Sequence, residues 1–217
     1  MLAKTLAPRR TALLAIDLQR DFVAPDGRLA SSGADLSSVE PALARIGRLL
    51  DAARRAGVSV GFARVETRAS TDSAALKALN QRHGAPAEAT EICRAGTPGA
   101  AFFGVAPAAG EIVVSKRLYD AFHETTLEAE LRARRVEALV IVGVATDCCI
   151  DATARAAFHR GFHVVVLEDA TAGYDASLHL ASLTALSRHC ASVVTSAEVM
   201  EAWGGAAPGL PPAASDG

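Results

Sequence analysis

Short uncharged runs alternate with amphipathic stretches along most of this chain. Residues 11–18, 58–65, 111–115, 138–142, 163–168 and 192–194 are rich in Val, Ile, Leu and Ala, and residues 138–142 carry no charge at all. Runs of this length and composition read as strands buried on both faces, as in a parallel sheet. Between them lie helical patterns. Residues 39–56 place Leu43, Ile46, Leu49 and Leu50 on one stripe, with Ser37 or Ser38 available as a cap, Pro41 in the first turn and Gly57 as the stop. Shorter helices are predicted at 73–82, 124–134, 147–160 (stopped by Gly161) and 177–189. Strand and helix in alternation predict an α/β fold: a single-domain, three-layer, doubly wound (Rossmann-like) sheet of about six mainly parallel strands over residues 1–203. Residues 19–38 form a polar loop, and between 66 and 110 the pattern weakens into the kind of long connection that walls a site. After Trp203, residues 204–217 are Gly, Pro and Ala without period and are predicted to be a disordered tail.

Composition narrows the function classes. With 217 residues, half of them hydrophobic, the chain is long enough for one sizeable core. A net charge of −2 with acids interspersed among the arginines leaves no basic face for nucleic acid. Lys4, Arg9 and Arg10 precede the apolar run at 12–16, but Asp17 ends that run too early for a signal peptide, and no stretch has the roughly 20 apolar residues that cross a bilayer. Cys93, Cys148, Cys149 and Cys190 do not make a disulfide framework in a chain this long, so reduced thiols and a cytoplasmic location are expected.

The chemistry gathers at strand ends. Asp17 closes the first strand, Lys116 follows the third, and Cys148 and Cys149 follow the fourth, at the start of a helix with Thr146 or Asp147 as N-cap. In an open parallel sheet these carboxyl-terminal edges are where ligands bind. A thiol at a helix start feels the positive end of the dipole, which favours its thiolate, although this reasoning does not choose between the two cysteines. Carboxylate, ammonium and thiol together can carry out acyl transfer, the acid taking the thiol proton and returning it to a leaving amine.

Five segments, in order, resemble the isochorismatase-like cysteine hydrolases, which include nicotinamidases, carbamoylsarcosine amidases and the biuret and ureidoacrylate hydrolases. They are Ala-Ile-Asp-Leu-Gln-Arg-Asp-Phe (15–22), Gly-Thr-Pro-Gly (96–99), Val-Ser-Lys-Arg-Leu-Tyr-Asp-Ala-Phe (114–122), Gly-Val-Ala-Thr-Asp-Cys-Cys-Ile (143–150) and Val-Val-Val-Leu-Glu-Asp-Ala (164–170). The resemblance runs from about residue 11 to 199. It implies Cys149 as nucleophile, Asp17 as acid–base and Lys116 as charge partner. It further implies a cis peptide between Val144 and Ala145, and an oxyanion hole formed by the amides of Ala145 and Cys149. Nicotinamidases carry Asp-x-His-Pro and bind a metal after the second strand, whereas this chain has Ala-Arg-Val-Glu-Thr-Arg (63–68), so no metal and no other cofactor is expected.

The resemblance therefore implies a cysteine-dependent hydrolase of non-peptide C–N bonds in small amides or ureides, with biuret, triuret and N-carbamoyl compounds favoured, assembling as a homodimer or homotetramer. A nicotinamidase-type activity is the alternative within the family. Outside it stands a phospho-acceptor or ligand-binding module, since receiver domains also place Asp and Lys at strand ends. Phe22, Tyr119 and Phe122 flank the reactive positions and are candidate pocket walls, with core packing an equal prospect for Phe122. Cys93 and Cys190 read as packing residues, His179 as structural, and Asp21 as a solvated loop acid.

Overall fold

The computed structural model describes residues 2–204, and the expected tail at 205–217 lies outside the described residues. Strands β1 (Thr11–Ile16), β2 (Ser59–Val65), β3 (Ile112–Lys116), β4 (Ala138–Val144), β5 (His163–Ala172) and β6 (Ser192–Val194) form one sheet in the order β3-β2-β1-β4-β5-β6. Every neighbouring pair is parallel. The helices are α1 (Leu2–Thr5), α2 (Arg20–Val23), α3 (Arg28–Ser31), α4 (Val39–Ala56), α5 (Ala74–Arg82), α6 (Leu127–Ala133), α7 (Asp151–His159), α8 (Ala176–His189) and α9 (Ser196–Gly204). None is long and apolar enough to cross a membrane.

The pleat of β1 sorts its side chains between two cores. Leu13 and Ala15 join Val60, Phe62, Val140 and Val142 against Ile46, Leu49 and Leu50 of α4 and Val199 and Trp203 of α9. Leu14 and Ile16 point the other way, to Val114, Ile141 and Val166, under Leu131 of α6, Ala154 and Ala157 of α7 and Leu186 of α8. Both faces of β1 and β4 are covered, which is why these strands read as unbroken apolar runs. Each fully buried Leu or Ile contributes about 1.5–3 kcal/mol. Gly57 stops α4 in the left-handed conformation (φ 73°), its N–H bonding back to Ala53 and Arg54. Ser38 stands at the start of α4, but its hydroxyl donates to the carbonyl of Gly173 (2.9 Å) instead of capping the helix.

The chain runs outward from β1 to β2 and β3, then returns to place β4 on the other flank of β1. This reversal opens a crevice beyond the carboxyl ends of β1 and β4. Gly143 makes the close approach there. Its φ is 120°, and a Cβ at this position would lie 2.1 Å from the carbonyl oxygen of Ile16. Only glycine fits, so the first residue of Gly-Val-Ala-Thr is fixed by packing between strands.

Several boundaries differ from the sequence reading. β3 ends on Lys116, one residue later than expected, so the lysine is the last rung of the ladder opposite Val65. The region 147–160 opens with a wide single turn over Thr146–Ile150 before α7 begins, and neither Thr146 nor Asp147 caps it. β5 continues past the polar pair Glu168–Asp169 to Ala172, because the register with β4 shifts between Ile141 and Gly143 and lets that pair bulge out. Asp169 then accepts from both the amide (2.8 Å) and hydroxyl (2.6 Å) of Ser196, fixing the start of α9, a helix the sequence pattern did not signal.

Candidate active site

Asp17 follows β1 in the left-handed conformation (φ 56°), its amide donating to Ala63 of β2 at 2.8 Å. Lys116 ends β3, two strands away, and its side chain spans the width of β2 to reach the same point. Strands lie about 4.8 Å apart, so only a long side chain covers that span. The ammonium is fully occupied: it donates to Asp17 Oδ2 (2.7 Å), to the Leu118 carbonyl (3.0 Å) and to Cys149 Sγ (3.2 Å). Side-chain exposure of this ion pair is 0% for Lys116 and 1% for Asp17, so water screens it very little. Thus the structure brings Asp17, Lys116 and Cys149 into direct contact around one nitrogen.

The charges of this cluster follow from burial and from one another. Burial is the largest influence on Asp17 and raises its pKa against the pull of Lys116. Burial would lower Lys116, but Asp17 and Cys149 outweigh it and hold the ammonium protonated above its usual range. The Cys149 thiol is pushed up by its hydrogen bond with Cys148, then by burial and the Asp17 charge, while Cys148 is lowered by that same bond. Burial thus works against charge on both Asp17 and Cys149, and the Lys116 ammonium is the group that favours a negative charge on either of them.

Cys149 is delivered by the wide turn at 146–150, and α8 holds that turn from outside. His179 Nδ1 shares a hydrogen bond of 2.8 Å with Thr146 Oγ1, and Ser182 donates to the Thr146 carbonyl (3.1 Å) and to Asp151 (3.0 Å). Burial lowers the His179 pKa, so its imidazole stays neutral and positions the turn. The Val144–Ala145 peptide is cis, the conformation the resemblance implies.

A mostly apolar cavity of about 450 Å³ opens over the cluster. Asp17, Val144, Ala145, Cys148 and Cys149 line it, and so do Phe22 and Tyr119. Phe122 does not. It is buried (5% exposed) against Phe162, with ring centroids 5.9 Å apart and the Arg160 guanidinium over its face, so its place is the core. The chain after β3 turns inward at Ala121, whose amide donates to Thr153 (3.1 Å), and this draws Phe122 under the sheet. Tyr174, which sequence reasoning missed, lines the cavity and donates to the Phe22 carbonyl (3.1 Å). Its only signal was position, just beyond the fifth strand.

Two residues of the matched segments prove to be fasteners. Gln19 is fully buried and exchanges bonds with the Val65 amide and carbonyl (both 2.8 Å) while also donating to Ala100 (2.9 Å). Asp21, expected in solvent, accepts from the Cys93 amide at 2.6 Å. Gly99 lies so close to that carboxylate that a Cβ would sit 2.3 Å from it. Gly-Thr-Pro-Gly is thus the seat of Asp21. Replacing Asp21 with Ala leaves the Cys93 amide without its acceptor and is expected to cost about 1–3 kcal/mol, read as a lower midpoint in urea unfolding. An unchanged midpoint would show that the loop holds itself.

After β2, Glu66 pairs with Arg64 (3.1 Å) and Arg68 (2.5 Å). Among the described residues, no three His, Cys, Asp or Glu side chains gather in a way that could hold a metal ion.

Fold and site together define the class: a doubly wound α/β domain whose strand ends carry a buried acid–ammonium–thiol cluster. The isochorismatase domain family model matches residues 11–198, and the chain belongs to the isochorismatase family. It is 37% identical over 193 residues to a ureidoacrylate amidohydrolase of Methylobacterium radiotolerans, covering 82% of this chain and 73% of that protein. A ureidoacrylate amidohydrolase of Rhizobium rhizogenes is 34% identical over 180 residues (77% and 72% covered). Among solved structures, a cysteine hydrolase from Pseudomonas syringae pv. phaseolicola superposes with a TM-score of 0.84 at 29% identity, covering 94% of this chain and 96% of that one. A zinc-complexed pyrazinamidase of Pyrococcus horikoshii gives 0.72 at 25% identity, covering 86% and 99%.

Proposed function

We propose that this chain is a cysteine amidohydrolase that cleaves a C–N bond of a small N-carbamoyl or related ureide, ureidoacrylate, biuret and triuret among them, through a thioester. The observation that carries the mechanism is the Lys116 ammonium in simultaneous contact with Asp17 and Cys149. Transfer of the thiol proton to Asp17 moves the single negative charge from oxygen to sulfur while the ammonium balances both arrangements, so no net charge is created in the buried pocket. The raised Asp17 pKa makes the carboxylate a stronger base for that proton, while the raised Cys149 pKa works against the transfer.

The Cys149 sulfur then attacks the carbonyl carbon, and the amides of Ala145 and Cys149 receive the oxyanion, such donors typically contributing about 10²–10³ in rate. As the C–N bond breaks, Asp17 returns the proton to the leaving nitrogen. Asp17 Oδ1, buried and without a hydrogen-bond partner among the described residues, is the oxygen free to carry that proton and donate it to the leaving nitrogen, since Oδ2 accepts from Lys116. Water, deprotonated by Asp17, cleaves the thioester and restores the thiol. The paired arginines around Glu66 favour a reaction without a metal over a nicotinamidase-type site. The identity with the two ureidoacrylate amidohydrolases supports the ureide class.

An ammonia-release screen over ureidoacrylate, biuret, triuret, carbamoylsarcosine and nicotinamide tests this reading. Turnover of a ureide supports it, and turnover of nicotinamide alone would overturn it. The pH profile supplies a second check. As base, Asp17 must be ionised in the free enzyme, so kcat/KM falls as pH drops through its folded pKa. Because burial raises that pKa, the acid limb should lie above the ordinary carboxylate value of about 3.9. The raised Lys116 keeps its proton throughout, so no alkaline limb should belong to it below its usual value of about 10.4. An acid limb at or below the ordinary carboxylate value would remove Asp17 from the role.

A further inference from the structure

We propose that Cys148 and Cys149 are a redox modification site, closing into a reversible disulfide when a hydroperoxide enters the cavity. The loss of activity that follows rests on Cys149 as nucleophile; the disulfide itself does not.

The two thiols are adjacent in sequence, free, and open onto the same cavity of about 450 Å³. Cys148 is half-buried and reachable, whereas Cys149 is 6% exposed beneath it. The neighbouring Cys149 thiol, with Lys116 adding to it, lowers the Cys148 pKa against burial, and together with its greater exposure this makes Cys148 the readier thiolate of the two. The thiolate is the form that reacts with peroxide. The other cysteines have no such setting. Cys93 is 0% exposed, and its thiol, pushed up by burial, contacts the Gly99 carbonyl at 3.7 Å. Cys190 lies in a separate surface hollow with Phe158 and Phe162.

The chemistry balances in two steps. The Cys148 thiolate attacks the hydroperoxide ROOH, breaking its O–O bond; sulfur is oxidised to sulfenic acid, the peroxide is reduced, and one proton from water leaves ROH. The Cys149 thiol then displaces the sulfenic oxygen, forming the S–S bond and releasing water. A small dithiol reverses the change, becoming a disulfide itself. Adjacent Cα atoms are about 3.8 Å apart, shorter than the usual disulfide range of about 4.4–6.8 Å, so the bond is strained and easily reduced. Closing it must also distort the wide turn, which is pinned by the Cys148 and Ile150 amides on the Ala145 carbonyl (both 3.1 Å). Oxidation therefore removes the sulfur and the turn geometry together.

Hydrogen peroxide added to the full chain, followed by intact mass, peptide mapping and turnover, tests the proposal. Expected is a mass loss of about 2 Da with a linked Cys148–Cys149 peptide, loss of turnover, and recovery of both with dithiothreitol. In Cys148→Ser, inactivation should be slower relative to that variant's own untreated rate, and the product should carry added oxygen, about 32 Da for an irreversible sulfinic acid. Wild-type protein that gains oxygen without any mass loss, or a link involving Cys93 or Cys190, would overturn the proposal. So would Cys148→Ser inactivating as fast and as reversibly as wild type. A linked peptide with turnover unaffected would leave the modification site standing and sink Cys149 as nucleophile.

Discussion

Cys149→Ala is expected to abolish ureide turnover, with a fall in kcat of about 10⁴–10⁶, the scale seen when a covalent nucleophile is removed. The protein should remain folded. The substitution deletes one sulfur from a buried site, at a cost of about 1 kcal/mol, and the Lys116–Asp17 pair beneath it stays intact as a neutral unit. Ammonia release measured beside a thermal melt separates the two effects. A folded variant that keeps a substantial share of the wild-type rate would mean that the thioester route is wrong.

Lys116→Met is the second large effect, and it should appear in stability as well as rate. The methionine takes the place of the buried lysine stem but leaves Asp17 buried without a cation, a loss of about 3–5 kcal/mol for a broken buried pair. Asp17 lowers that cost by taking up a proton, since burial already raises its pKa and the opposing pull of Lys116 is gone. The acid limb of the rate profile must then move to higher pH, and the base is lost near neutrality. Adding Asp17→Asn should return part of the stability without returning activity, because the uncompensated charge is gone. Urea unfolding of the single and double variants decides this; a Lys116→Met protein as stable as wild type would show that the pair is not coupled as described.

What the sequence disclosed and what it withheld divide along a physical line. β1, β4 and α4 were legible because burial on fixed faces imposes an apolar pattern, and α4 was bounded by Gly57 at the residue where it ends. Asp17, Lys116 and the Cys148–Cys149 pair stood out because a charged or reactive group directly beyond an apolar run is out of place unless something uses it, while the choice of Cys149 over Cys148 came from the resemblance alone. The strand order was not legible, since flanking a parallel strand on either side demands the same residues. Phe122 could not be separated from Phe22 and Tyr119 by type. Only the inward turn at Ala121 decides that it packs on Phe162. Asp21 looked solvated because its partner, the Cys93 amide, lies 72 positions away. Tyr174 and the cavity walls at 89–92 and 117–119 come from segments with no period of their own.

The most lightly attached of the cavity walls is α5. It buries none of its side chains, its Ser73 cap bonds only to its own Leu76 amide, and the Asp72–Arg94 ion pair (2.7 Å) ties its start to the domain, while Leu76 and Asn80 face the cavity. The sheet edge bearing the thiol, by contrast, is packed on both faces. A segment held by so few buried contacts detaches at a small fraction of the free energy needed to unfold the sheet. Substitutions at Leu76 or Asn80 therefore reshape the cavity lining at little cost to the packed sheet, so the wall can be rebuilt in a relative while the floor beneath it stays the same.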